Sequence, residues 1–183
     1  MLSAIFARQK EASLYYFANL QLAPIETLVE KIFQCSGITF LSGVGKSGLV
    51  AEKIAQTMVS TGTKAMFLSP TNAMHGDIGM VSSQDLFLIF SKSGESDELL
   101  QLVPFIRNKG ATLVSIICNT ESRLHTASDA VIMLPFQSEL CPFDMAPTTS
   151  TIYQMFFGDL LTIALMERRK FTLEEYGSNH PSG

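Results

Sequence analysis

A chain of 183 residues, 46% hydrophobic and 16% charged, is long enough for one globular domain with a sizeable core. A formal net charge of −4 without any basic run excludes a nucleic-acid-binding surface, and no apolar stretch reaches the length of a membrane span. Arg8, Lys10 and Glu11 stand where a secretory signal would have its apolar centre, and Cys35, Cys118 and Cys141 are odd in number, far apart and free of any C-x-x-C pair. Both features predict a cytoplasmic, reducing setting with neither a disulfide framework nor a zinc site.

Two helices open the chain, from Leu2 to about Leu20 and from Ile25 to Cys35 after Pro24. Leu14, Phe17 and Ala18, then Leu28, Val29, Ile32 and Phe33, recur at helical spacing, so each helix should pack on a core or on another subunit. Residues 1–36 read as this N-terminal helical segment and residues 37–183 as the main domain. The apolar run from Ile38 turns on Gly43 and Gly45 and leads into the helical spacing of Leu49, Val50, Ile54 and Met58, giving strand, tight turn and helix. A glycine turn at a strand end lets backbone approach a ligand, and the following helix start offers unpaired N–H groups and a positive dipole end. Lys46 and the hydroxyl of Ser47 add to what reads as an anion loop.

Counting separates the known anion loops. Gly43, Gly45 and Gly48 satisfy G-x-G-x-x-G, but the next strand, Thr63 to Ser69, lacks the acidic residue that a dinucleotide site carries. A nucleotide P-loop needs glycine at position 40, where Phe40 stands. A small phosphorylated ligand remains, beside the plainer reading of a turn that only joins strand to helix.

Further apolar runs follow at Ala65–Leu68, Leu86–Phe90, Thr112–Cys118 and Ala130–Leu134, with helical stretches at Glu98–Lys109 and Ser122–Ala127. This alternation predicts an α/β domain of parallel strands with helical crossovers. A last helix should run from about Thr149 to Arg169 with Ile152, Met155, Phe156, Leu160, Ile163 and Ala164 facing inward. After the run Leu86–Phe90 comes Ser91-Lys92-Ser93-Gly94-Glu95-Ser96, a second glycine turn before a helix. Alone it would be an ordinary N-cap; with the first loop it predicts a phosphate pocket at the C-terminal edge of one sheet.

Five blocks in order then carry a family resemblance: GVGKSG at 43–48, HGDIGM at 75–80, SKSGES with Asp97 and Glu98, ELCPFDMAPTTST at 139–151, and GSNHPSG at 177–183. The chain resembles the sugar isomerase domain of D-arabinose 5-phosphate isomerases. The resemblance implies a flavodoxin-like three-layer sandwich with a five-stranded parallel sheet flanked by helices, and a homotetramer. It also implies interconversion of D-arabinose 5-phosphate and D-ribulose 5-phosphate for Kdo and lipopolysaccharide synthesis. The chain departs from the family pattern with Lys92 where Asn is usual, Leu49 where His follows GKSG, and Leu140 where Ala follows the glutamate. Typical members also continue into two CBS repeats after the HP motif, whereas this sequence ends at Gly183.

Moving a carbonyl between C1 and C2 needs a base for the carbon-bound proton, a stabiliser for the enediolate and a shuttle for the hydroxyl proton, and no metal or nicotinamide. Matched motif by motif, the resemblance implies Lys46, Glu98, Glu139 and His180 as catalytic residues: either glutamate as base, His180 as shuttle and Lys46 as electrostatic stabiliser. Gly45, Ser47, Ser91, Lys92, Ser93 and Ser96 would hold the phosphate, and His75 would contact substrate or assist ring opening. His180, close to the chain end, could be ordered by a neighbouring subunit. Glu98 in a first helical turn is also what the dipole alone favours, and His75, His180 and Cys141 lack metal-ligand spacing. The rival readings are a phosphosugar-sensing module without catalysis and an isomerase of a hexulose 6-phosphate.

Overall fold

The structure, a computed structural model, describes residues 1–181; the last two residues of the terminal GSNHPSG block lie outside the described residues. Helices α1 (Leu2–Asn19) and α2 (Leu22–Gln34) precede β1 (Thr39–Gly43), α3 (Gly45–Ser60), β2 (Ala65–Phe67) and the short α4 (Pro70–Met74). After a 3-10 turn at Asp77–Met80 come β3 (Leu86–Phe90), α5 (Asp97–Lys109), β4 (Thr112–Ile117), α6 (Arg123–Ala127), β5 (Ala130–Met133), α7 (Thr149–Arg169) and α8 (Leu173–Asn179). The five strands form one all-parallel sheet in the order β2-β1-β3-β4-β5. This is the flavodoxin-like order, whose direction of winding reverses between β1 and β3.

Strand residues alternate between two cores, as the two-residue period of a strand requires. Leu41, Leu88, Phe90, Val114 and Ile116 join a cluster with α1, α2, α3 and α7, while Phe40, Phe87, Ile89 and Leu113 join one with α4, α5 and α6. Both faces are therefore covered, which explains why β3 reads as an unbroken apolar run and not as an alternation.

One expectation is corrected. The buried face of α7 carries Tyr153, Gln154, Phe157, Gly158, Leu161, Thr162 and Leu165, whereas Leu160 and Ile163, expected to point inward, are 42% and 52% exposed. Helix α7 is apolar around much of its girth, and the face on the sheet is the one interrupted by Gln154, Gly158 and Thr162. Gly158 is there because α3 passes close: a Cβ at this position would lie 2.3 Å from the Ile54 side chain. On α1, Phe6, Leu14 and Phe17 are also largely exposed. Helix α2 begins at Leu22, ahead of Pro24, because proline is tolerated within a first helical turn. Helices α4 and α8 were not expected, although α8 opens on a capping box between Thr172 and Glu175. Among the described residues no helix is long and apolar enough to cross a membrane.

Candidate active site

The two predicted anion loops leave the sheet side by side, since Gly43 at the end of β1 is in register with Phe90 at the end of β3. They flank the point where winding reverses, the place where open α/β sheets bind ligands. In the first loop the glycines let strand and helix touch: a Cβ on Gly48 would come within 2.6 Å of the Gly43 carbonyl oxygen. This close packing of α3 on β1 accounts for two of the three glycines without a dinucleotide. Gly45, with φ +59°, leaves open space above it, and Lys46 beside it is exposed without an ion-pair partner among the described residues. Ser47 is half-buried.

The second loop is pinned from three sides. Ser91 Oγ accepts the Gly94 N–H at 3.0 Å, the Gly94 carbonyl accepts the Leu124 N–H at 3.1 Å, and Ser93 Oγ accepts the Glu95 N–H at 3.2 Å. Arg123 then ties the loop to α6: its Nε donates to Glu95 Oε2 at 2.6 Å, its own N–H to Glu95 Oε1 at 2.6 Å, and its Nη2 to Asp97 Oδ1 at 3.1 Å. The Arg123 hydrogen bonds hold the Glu95 carboxyl below its usual range. Ser96 and Glu98 make no side-chain hydrogen bond among the described residues and sit at the start of α5, where an anion meets the positive end of the helix. Gly94 has φ +67° and no room for a Cβ, which would lie 2.2 Å from Ser122 Oγ. Gly94→Ala is therefore expected to destabilise the protein by roughly 1–3 kcal/mol and to weaken sugar-phosphate binding. Urea denaturation beside calorimetry checks both, and unchanged stability would mean that the loop relaxes freely.

Glu139 is the most deeply placed of the charged candidates, with its side chain fully buried. It follows β5 in the segment leading to α7, and its carboxylate lies on the start of that helix. Oε2 accepts the N–H groups of Thr148 at 2.9 Å and Ser150 at 3.1 Å, and Oε1 accepts the Ser150 hydroxyl. Its own N–H donates to Asp144 Oδ1 at 2.6 Å, from a residue with φ +54°. Lys92 Nζ stands 3.4 Å from Oε1 and 5.4 Å from the centre of the Phe136 ring. Burial pushes the Glu139 carboxyl upward, but the Ser150 and Thr148 hydrogen bonds and the Lys92 charge outweigh it, leaving the group below its ordinary range. Nearby, burial and then the Glu139 charge push the Cys118 thiol up to about 12, so it stays protonated.

The fold thus brings together Gly45, Lys46, Ser47, Ser91, Lys92, Ser93, Ser96, Glu98 and Glu139 at the C-terminal edge. Lys92 spends its charge on Glu139, joining the serine loop to the ELCP block. His75 is an exposed residue at the end of α4. His180 is not brought to this edge within the chain. Its ring stacks on Tyr176 at 4.0 Å and its Nδ1 lies 3.0 Å from the Tyr176 carbonyl oxygen. The adjacent Asn179 donates to the Ser60 carbonyl at the far end of α3 at 3.2 Å. A rise of about 1.5 Å per residue puts that end roughly 20 Å from Lys46. Sequence reasoning missed Thr148, Ser150 and Asp144 as the groups that hold Glu139; the hydroxyl-rich TTST at a helix start was the signal available. Nothing in the sequence announced Arg123. Among the described residues no three His, Cys, Asp or Glu side chains gather as a metal site.

The family model described as the SIS domain matches residues 32–164, and the chain belongs to that family. It is 46% identical over 179 residues to an uncharacterized protein of Chlamydia pneumoniae, covering 98% of this chain and 54% of that protein. It is 41% identical over 177 residues to the arabinose 5-phosphate isomerase KpsF of Escherichia coli strain CFT073, covering 97% of this chain and 54% of that one. The chain therefore spans about half the length of the curated relatives it matches. Its structure is similar to that of E. coli CFT073 c3406 in complex with arabinose 5-phosphate, with a TM-score of 0.93, 33% identity and coverage of 98% of this chain and 95% of that one.

Proposed function

We propose that the chain is a cytoplasmic aldose-ketose isomerase that interconverts D-arabinose 5-phosphate and D-ribulose 5-phosphate, supplying Kdo and lipopolysaccharide synthesis. The observation that carries this reading is the meeting of two anion loops with Glu98 and Glu139 at one sheet edge, in a chain similar to KpsF and to a structure holding arabinose 5-phosphate.

The two helix starts and the hydroxyls of Ser47, Ser93 and Ser96 hold the phosphate, with Ser91 bracing the loop. Glu98, an exposed carboxylate without a partner among the described residues, takes the proton from C2 of the aldose. The electrons left behind form the C1–C2 double bond as the carbonyl becomes an enediolate, which Lys46 stabilises. The proton returns to C1 while a histidine moves the hydroxyl proton from the C2 oxygen to the C1 oxygen. Glu139 is a poor base, because its lone pairs are occupied and its pKa is held down; it orients Lys92 and the start of α7. His180 acts from a neighbouring subunit in a homotetramer assembled through the exposed faces of α1 and α7, and His75 contacts substrate or assists ring opening. No cofactor is required by this chemistry.

An assay of the purified chain on a panel of sugar phosphates in deuterated water, with EDTA present, tests the proposal. The expected result is turnover of the five-carbon pair with deuterium appearing at C2 of the aldose. Binding without exchange makes the chain a sensing module, turnover only of a hexulose 6-phosphate moves it to another isomerase, and inhibition by EDTA brings a metal into the site.

A further inference from the structure

A polar cavity of about 150 Å³ opens at the N-terminal edge of the sheet, on the opposite side from the loops that carry the proposed chemistry. It lies between the end of α2, the start of β1, the turn after α3 and the end of α7, and its walls include Ser36, Gly37, Thr39, Thr63, Lys64 and Arg169. Two cations line it, and the nearest carboxylate, Asp85 behind Gly37, is already taken up by the Ile38 and Ser82 N–H groups and the Ser82 hydroxyl. Among the described residues neither Lys64 nor Arg169 forms an ion pair.

Arg169 is held in place without being neutralised. Its Nε donates to Thr63 Oγ1 at 3.3 Å and its guanidinium lies 5.4 Å from the centre of the Phe33 ring, and among the described residues neither Nη group meets an acceptor. Thr39 lines the cavity, and its hydroxyl makes no hydrogen bond among the described residues. The backbone N–H groups of Ser36, Gly37 and Lys64 likewise meet no acceptor there. The room, worth about five waters at roughly 30 Å³ each, suits a group that only accepts hydrogen bonds and carries negative charge.

We infer that this cavity binds a tetrahedral oxyanion, either free phosphate or the phosphomonoester head of a sugar phosphate, as a second site separate from the catalytic edge. Its occupant bridges the ends of α2, α3 and α7.

Backbone amide shifts of the whole chain, followed by NMR during titration with inorganic phosphate and separately with a sugar phosphate, test the inference. Saturable shifts at Ser36, Gly37 and Lys64 are expected in the wild type and equally in Lys46→Met, whose lesion lies at the other edge. Lys64→Met removes an exposed side chain without a partner and should leave the fold intact while weakening these shifts at least about tenfold in affinity, the scale of one charge-assisted hydrogen bond. Arg169→Gln should do the same. Shifts with both ligands identify a site for free anion, and shifts with the sugar phosphate alone identify one for a phosphomonoester. The inference is overturned if the three amides do not move with either ligand up to about 20 mM, or if they move equally in Lys64→Met and Arg169→Gln. Isomerase activity is read independently, so failure here leaves the catalytic reading untouched.

Discussion

Glu139→Gln is expected to lower kcat about a hundredfold by misplacing Lys92 and the start of α7 and to destabilise the protein by roughly 1–3 kcal/mol. The carboxylate has two tasks that a neutral amide cannot both perform. It accepts two backbone N–H groups and a hydroxyl at the start of α7, and it balances Lys92 3.4 Å away. An amide presents one acceptor oxygen and turns its NH2 toward either the Ser150 hydroxyl or the lysine. The same geometry fixes a pH dependence. Because the folded carboxyl titrates below its unfolded value of 4.5, its contribution is complete above that pH and is lost as pH falls through the folded pKa. Wild-type stability should therefore decline on acidification below about 4.5, and the Gln variant should lose less over the same range. Denaturant midpoints at a series of pH values check this; parallel profiles for the two proteins would remove Glu139 as the titrating group.

A mixture of Lys46→Met and His180→Asn chains, unfolded and reassembled together, is expected to recover up to about one quarter of wild-type activity, although each variant alone falls at least about tenfold. The reason is distance. The end of α8 is tied to the far end of α3, roughly 20 Å from Lys46, so the proposed site takes its lysine from one chain and its histidine from another. Sites built from two chains contain both intact groups in a quarter of random pairings. Sedimentation should show an assembly larger than a monomer at micromolar concentration. Activity of the mixture no greater than the mean of the two variants would mean that His180 does not act across subunits.

The parallel sheet and the two loops were legible because each rests on a local signal: a short apolar run for the strand, then glycine and hydroxyl residues where the backbone must turn and open a helix. Lys46, Ser47, Ser91 and Ser96 lie where that grammar puts them. Other features depended on contacts distant in sequence. The partnership of Lys92 with Glu139 joins loops 47 positions apart, and the Arg123 clamp reaches back 28 positions to Glu95. The inward face of α7 was misjudged because hydrophobicity alone prefers Leu160 and Ile163 to Gln154, Gly158 and Thr162, whereas close passage of α3 selects the smaller and more polar side. His180 shows the limit most plainly. Its motif is local, but α8 turns its ring onto Tyr176, away from the sheet edge where the motif alone would place it.

The outermost strands are short, three residues in β2 and four in β5. An edge this brief offers too few unpaired amide and carbonyl groups to recruit a strand from another molecule. The sheet therefore ends within its own chain and cannot grow into a continuous ribbon through several copies. Any contact between copies would then rest on side chains of helical surfaces, where shape and not backbone repetition decides the fit.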